Sequence, residues 1–225
     1  MARVDPYPQH LPNREHGPAE GSGQGRPGTL TPEGLAEWLD GHSERIIERW
    51  VREVRSRDPE AQGPLAELLP EFLGLLVSFL PIGVGRWRGH ARPLFQQSAE
   101  LYGNVAALRG LAAGEAVEEI QLLREVLLRF LYAEAPEDGD GEDRRGRLRL
   151  RELLQLNRII DEGVTFASIG HMDTLFFDLL HGTGVSTDPT EEVVEEIRSQ
   201  IQGLAEDLEA IQPGEGAARL GGANR

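Results

Sequence analysis

From Thr31 to Ile211 the apolar residues of this chain recur every three or four positions, and no useful length alternates apolar with polar. A spacing near 3.6 gathers side chains on one stripe of an α-helix, whereas a half-buried strand needs a period of two. The pattern therefore confines the chain to an all-α fold, a helical bundle in which several amphipathic helices share one core.

The first helix is expected at Thr31-Pro32-Glu33, where an N-cap residue precedes proline at the first helical position and an acid in the first turn. Leu35, Trp38, Leu39, Ile46, Trp50 and Val54 form its inner stripe as far as about Arg57, with a bend near Gly41. Pro64 opens a second helix through Leu80 that is apolar on most faces and so belongs at the bundle centre. Residues 81–89 are expected to break it. A third helix is predicted from Pro93 to Arg109, a fourth from Gly114 to Tyr132, and the longest from about Arg145 to His181. The last turns of that helix, Leu175, Phe176, Phe177, Leu179 and Leu180, are apolar nearly all round, which calls for a partner.

A final helix starts at Asp188-Pro189 or at Thr190. In it Val194, Ile197, Ile201, Leu204, Leu208 and Ile211 are spaced three, four, three, four, three, which is a heptad seam. The seam spans about two and a half heptads and suits either a self-associating coiled coil or a return onto the main bundle. Four regions follow: a disordered tail over 1–30, a bundle domain over 31–182, a heptad helix over 183–212 and a disordered tail over 213–225. The tails are rich in Pro and Gly and lack a hydrophobic period, so burial cannot offset their ordering.

Composition removes whole classes of chemistry. The chain of 225 residues has no cysteine, which excludes thiolate catalysis, thiolate metal sites and disulfides. Its 23 basic residues are all arginine, so neither a Schiff base nor a P-loop lysine is available. The formal net charge of −15 disfavours nucleic acid as a partner. The one dense basic cluster, Arg144, Arg145, Arg147, Arg149 and Arg151, directly follows the acidic run Glu134 to Asp143 and reads as a solvated helix start. No signal-peptide core appears near the N-terminus, and the uncharged run between Glu71 and Arg86 falls short of the ~18 apolar residues of a membrane span. A cytoplasmic location is expected, with no direct membrane binding.

The remaining polar motifs point to no catalyst and no cofactor. A ferritin-like di-metal site needs Glu-x-x-His pairs, and none occurs. His171, Asp178 and His181 lie near one stripe but read as polar breaks near a helix end, and His42 and His90 lack any pattern that would support haem. Adjacent acids at Glu118-Glu119 and Asp161-Glu162 point in different directions on a helix and read as solvated faces, not as acid–base dyads. Ser78, Ser98 and Ser168 lie within helices, outside any nucleophile turn.

The middle of the chain resembles the RsbT co-antagonist N-terminal domain, the RsbRD-type module that also precedes many bacterial sensor histidine kinases. The stretch Leu35 to Arg57 looks like its opening helix, and Leu68-Leu69-Pro70-Glu71-Phe72-Leu73 is similar to its Leu-Pro-x-Leu-Leu segment. Leu101-Tyr102-Gly103, then Gly110, then Glu119 to Arg124 match its His-Gly, spaced Gly and acidic-leucine-arginine helix. Leu156 to Glu162 is similar to its closing helix. Tyr102 and Ala106 stand where the family commonly has His and Arg. The resemblance implies a helical bundle, globin-like in its relatives and often dimeric, that senses a signal or docks partners.

The sequence thus predicts a non-enzymatic module of signal transduction or stress response that works through protein contacts, with itself as a homodimer or with another protein. An accessory subunit of a larger assembly, docked at a membrane complex, is the second reading. The expected contact residues are Leu175, Phe176, Leu179 and Leu180 together with the heptad positions Val194, Ile197, Ile201, Leu204, Leu208 and Ile211. On this view Ile201→Asp weakens association without unfolding residues 35–180.

Overall fold

The computed structural model describes residues 31–57, 63–133, 150–181 and 190–211, and among these every regular element is a helix. In chain order they are α1 (Pro32–Gly41), α2 (Ser43–Arg57), α3 (Pro64–Glu67), α4 (Leu69–Val84), α5 (Arg88–Leu108), α6 (Ala113–Ala133), α7 (Leu150–His181) and α8 (Glu191–Ile211). The all-α bundle read from the hydrophobic period is what forms. The expected tails, the acidic linker and Arg144 to Arg149 lie outside the described residues.

Local signals place several ends. The Thr31 hydroxyl accepts the Gly34 N–H at 3.1 Å, capping α1 ahead of Pro32. At the end of α5, Gly110 takes the left-handed conformation (φ 80°). The Gly110 N–H donates to Ala107 O at 2.9 Å and the Leu111 N–H to Ala106 O at 3.1 Å, a Schellman closure that reverses the chain into α6. The Glu115 carboxylate then accepts the Ala112 N–H at 2.7 Å and starts α6.

The core is one cluster centred on α4, whose Phe72, Leu73, Leu76, Phe79 and Leu80 are all buried. Helices α1 and α2 cover one side of α4, and α5 packs on another. The most extensive helix pair is α5 with α7. The two run in the same direction, since Arg92 faces Glu162, Phe95 faces Gly163 and Asn104 faces Thr174. They touch backbone to backbone. A Cβ on Gly103 would fall 1.9 Å from Ala167 O, and one on Gly170 would fall 2.0 Å from Glu100 O. Ala99, Ala106 and Ala167 are buried in the same helices, so small residues let the axes close in.

Four boundaries differ from the sequence reading, one being that the helix opened by Pro64 divides at Leu68 into α3 and α4. The opening helix is two helices, with His42 as the C-cap of α1. The break expected over 81–89 is shorter, because α4 runs through Pro81 to Val84 and α5 starts at Arg88 with Pro93 inside it. A proline removes one N–H and disfavours a helix interior, but here burial on α4 outweighs it: Pro81, Ile82 and Val84 are all buried. The Gln155 amide donates to Gly83 O at 3.2 Å and Val84 O at 3.1 Å, taking up carbonyls at the helix end. The stretch Pro64–Val84 is also long and apolar enough to cross a membrane by length and composition, contrary to the run counted from charges alone, and 67 % of that window is buried inside the bundle.

The crossing yields a stability prediction. Gly103→Ala forces a backbone oxygen to move and should cost at least about 3 kcal/mol, at or above the usual range for overpacking. Gly203→Ala, on an open face of α8 with nothing within 4 Å of the added carbon, should instead stabilise by about 0.5–1 kcal/mol. Urea denaturation of both variants checks this, and a Gly103→Ala protein as stable as wild type would rule out the close crossing.

Candidate functional site

Beyond Thr174, whose hydroxyl donates to Asn104 Oδ1 at 3.2 Å, α7 continues for two turns along which only Asp178 is half-buried, its Oδ2 closed off from solvent. Ile169, Met172, Leu175, Phe176, Phe177, Leu179 and Leu180 are between 41 % and 78 % exposed. At 100° per residue, Leu175, Phe176, Phe177, Leu179 and Leu180 encircle the axis, leaving only the sector of Asp178 polar. Scaled by exposure from the ~150–250 Å² of a large side chain, this apolar area is on the order of 800 Å². A typical monomer's largest patch is roughly 300–600 Å². The predicted contact residues Leu175, Phe176, Leu179 and Leu180 therefore form one surface.

The heptad residues do not join it. Helix α8 lies across α4 and α5, and Val194, Ile197, Ile201, Leu204 and Leu208 are 5–6 % exposed within the chain's own core, with Ile211 half-buried against it. Of the two arrangements open to the seam, the structure has the return onto the bundle. The expected contact role of these six residues is corrected accordingly, since they are packed on the same chain. Ile201→Asp would put an unpaired carboxylate into that core and destabilise the bundle itself.

A second feature is a buried charged cluster where α2, α5 and α6 meet. The Arg109 guanidinium grips the Glu119 carboxylate with two bonds of 2.9 and 3.0 Å, and the Tyr102 hydroxyl donates to the same carboxylate at 2.5 Å. The Trp50 indole N–H donates to Glu119 O at 2.7 Å. Reading Glu119 as a solvated face is thus wrong, for it is 6 % exposed. It sits on the stripe of Ala116 and Leu123, and a lone acid within an apolar stripe is the signal that could have revealed it. Glu118 does point outward, to Arg57 at 3.1 Å. Burial pushes the Tyr102 phenol well above its ordinary pKa of 10.0; the Glu119 charge adds to the rise and the Arg109 charge opposes it. Tyr102 is 1 % exposed, so no reactant reaches the cluster. Its work is to tie three helices together.

The other polar candidates are spoken for locally. His171 is buried with Nε2 at 2.7 Å from Leu111 O, and its buried Nδ1 has no hydrogen-bond partner among the described residues. The His181 ring stacks on Phe177 and the His42 ring on Trp38. The hydroxyls of Ser78, Ser98 and Ser168 donate to the carbonyl four residues back. Asp161 pairs with Arg124, and Glu162, half-buried, pairs with Arg92 at 2.6 Å. Among the described residues no three His, Asp or Glu side chains come together as a metal site. No protein-family model, curated protein or solved structure matches the chain.

The raised Tyr102 pKa gives a pH prediction that the composition makes clean, because no lysine or cysteine titrates alongside it. Above about pH 10 the unfolded chain releases the phenolic proton while the folded chain keeps it. Stability is then full below that pH and declines above it, by up to about 1.4 kcal/mol per pH unit for this one group. Tyr102→Phe should show a shallower decline between pH 10 and 11.5 in denaturant titrations. Equal slopes would contradict a proton held by burial.

Proposed function

We propose that this protein is a non-enzymatic regulatory module of bacterial signal transduction or stress response, working in the cytoplasm by holding a protein partner on the free end of α7. The observation that carries this reading is the apolar collar from Ile169 to Leu180. Its area, on the order of 800 Å², is what one partner brings to a standard interface.

The collar's shape selects the kind of contact. A seam of two facing helices needs apolar residues on one side only, whereas α7 is apolar on nearly every side at its end. The Asp178 side is closed off within the chain, so the fit is a groove that takes the remaining apolar sides, on another protein or on a second copy of this chain. The resemblance to RsbT co-antagonist N-terminal domains supports the same role, since such domains sense or dock. The buried charged cluster, closed to reactants, supports a structural scaffold and not a catalyst.

Phe176→Ser with Leu179→Ser tests the reading. Wild-type protein purified from its host should carry a stoichiometric partner or sediment as a dimer, and the double variant should lose it with helicity and melting temperature kept. Exposed positions of this kind change stability by about ±0.5 kcal/mol. An undiminished complex in the double variant would overturn it.

A further inference from the structure

A cleft of about 440 Å³ opens between the end of α4, the first turns of α5 and the first half of α7. Its volume lies within the ~300–1,000 Å³ of small-molecule sites. Phe79, Phe95 and Ile159 supply apolar wall, with the Phe79 and Phe95 rings edge to face at 5.7 Å. Three arginines, Arg88, Arg92 and Arg158, line the same space against a single carboxylate, Glu162. Glu162 is taken by Arg92, at 2.6 Å, and by the Gln96 amide. Arg88 and Arg158 have no hydrogen-bond or ion-pair partner among the described residues.

Two unpaired guanidiniums beside an apolar wall run against the character of a chain with a net charge of −15. Arg52, Arg55 and Arg151 also have no ion pair among the described residues, but Arg88 and Arg158 share one cleft with Phe79 and Phe95. Guanidinium is planar, permanently charged and forked, and so matches carboxylate and phosphate oxygens with paired bonds. Aromatic and aliphatic walls beside it select a ligand with an apolar body as well as a charged head. A bare inorganic anion would leave that wall unused.

We propose that this cleft binds a small organic anion, a carboxylate or phosphate carried on an apolar or aromatic body. Arg88 and Arg158 hold the head. Phe79, Phe95 and Ile159 cover the body, and Arg92, already neutralised by Glu162, shapes the rim. This site is separate from the collar at the end of α7 and does not depend on it.

Calorimetric titration of the full chain with phenyl phosphate and 4-phenylbutyrate tests the proposal, with inorganic phosphate and benzyl alcohol as head-only and body-only probes. At least one of the two amphiphilic anions should bind more tightly than either control. Arg88→Glu and Arg158→Glu should each weaken binding about tenfold or more, as expected for the loss of charge-assisted bonds. Both arginines are exposed, and unchanged circular dichroism would confirm that the variants fold. Arg198→Glu, on α8 and paired with Glu195, should leave binding unchanged. No heat from either anion at up to about 5 mM, a range that covers millimolar affinity, would overturn the proposal. So would equal binding of inorganic phosphate, or binding that Leu179→Ser removes and Arg158→Glu does not.

Discussion

Where α5 and α7 cross, no side chain separates the two backbones. A Cβ added at Gly103 or Gly170 would fall 1.9 or 2.0 Å from a carbonyl oxygen of the other helix, and dispersion across so close a contact falls steeply if a gap opens. This contact sets the rest of the bundle. It fixes α5 and α7 in parallel, so α6 must return between their ends. It brings the His171 ring under the Schellman turn after α5 to meet Leu111 O. It also determines where α7 leaves the core, and hence that the collar lies outside it.

A polar lock complements that apolar contact. Glu119 is held by Arg109 and Tyr102, and its main chain by Trp50, so α2, α5 and α6 are registered through one carboxylate. Burying such a pair costs desolvation that its attraction only partly repays, and removing one partner leaves a stranded charge. Such a lock adds more to uniqueness of packing than to net stability. Helices with interchangeable leucine faces can slide by a turn; a forked guanidinium on a carboxylate cannot.

Much of this was legible in the sequence. Helix positions follow from the 3.6-residue period, and the start of α1 and the end of α5 from Thr31 and Gly110; for α8 the sequence offers Asp188-Pro189 or Thr190, and the helix begins just after Thr190. Five apolar residues in six at Leu175 to Leu180 mark the helix end whose large side chains the structure leaves exposed. What the period does not encode is which helix pairs with which. The stripe Gly163, Ala167, Gly170 on α7 and its counterpart Ala99, Gly103, Ala106 on α5 held the signal for a close crossing, but small residues read singly look like neutral filler. Pro81 and Pro93 were given too much weight, because local backbone cost was judged without the burial that outweighs it. The heptad of α8 shows a further limit. Its spacing describes a seam without saying whether the other half belongs to this chain.

The crossing has a mechanical meaning as well. Helix α7 is a single rod of 32 residues, about 48 Å long at 1.5 Å per residue. It is buried along one face from Glu152 to His171, about 29 Å of its length, and its last residue stands roughly 15 Å past that hold. A rod clamped over most of its length is a cantilever, so a load on the collar is borne by the whole clamped stretch and not by one pivot.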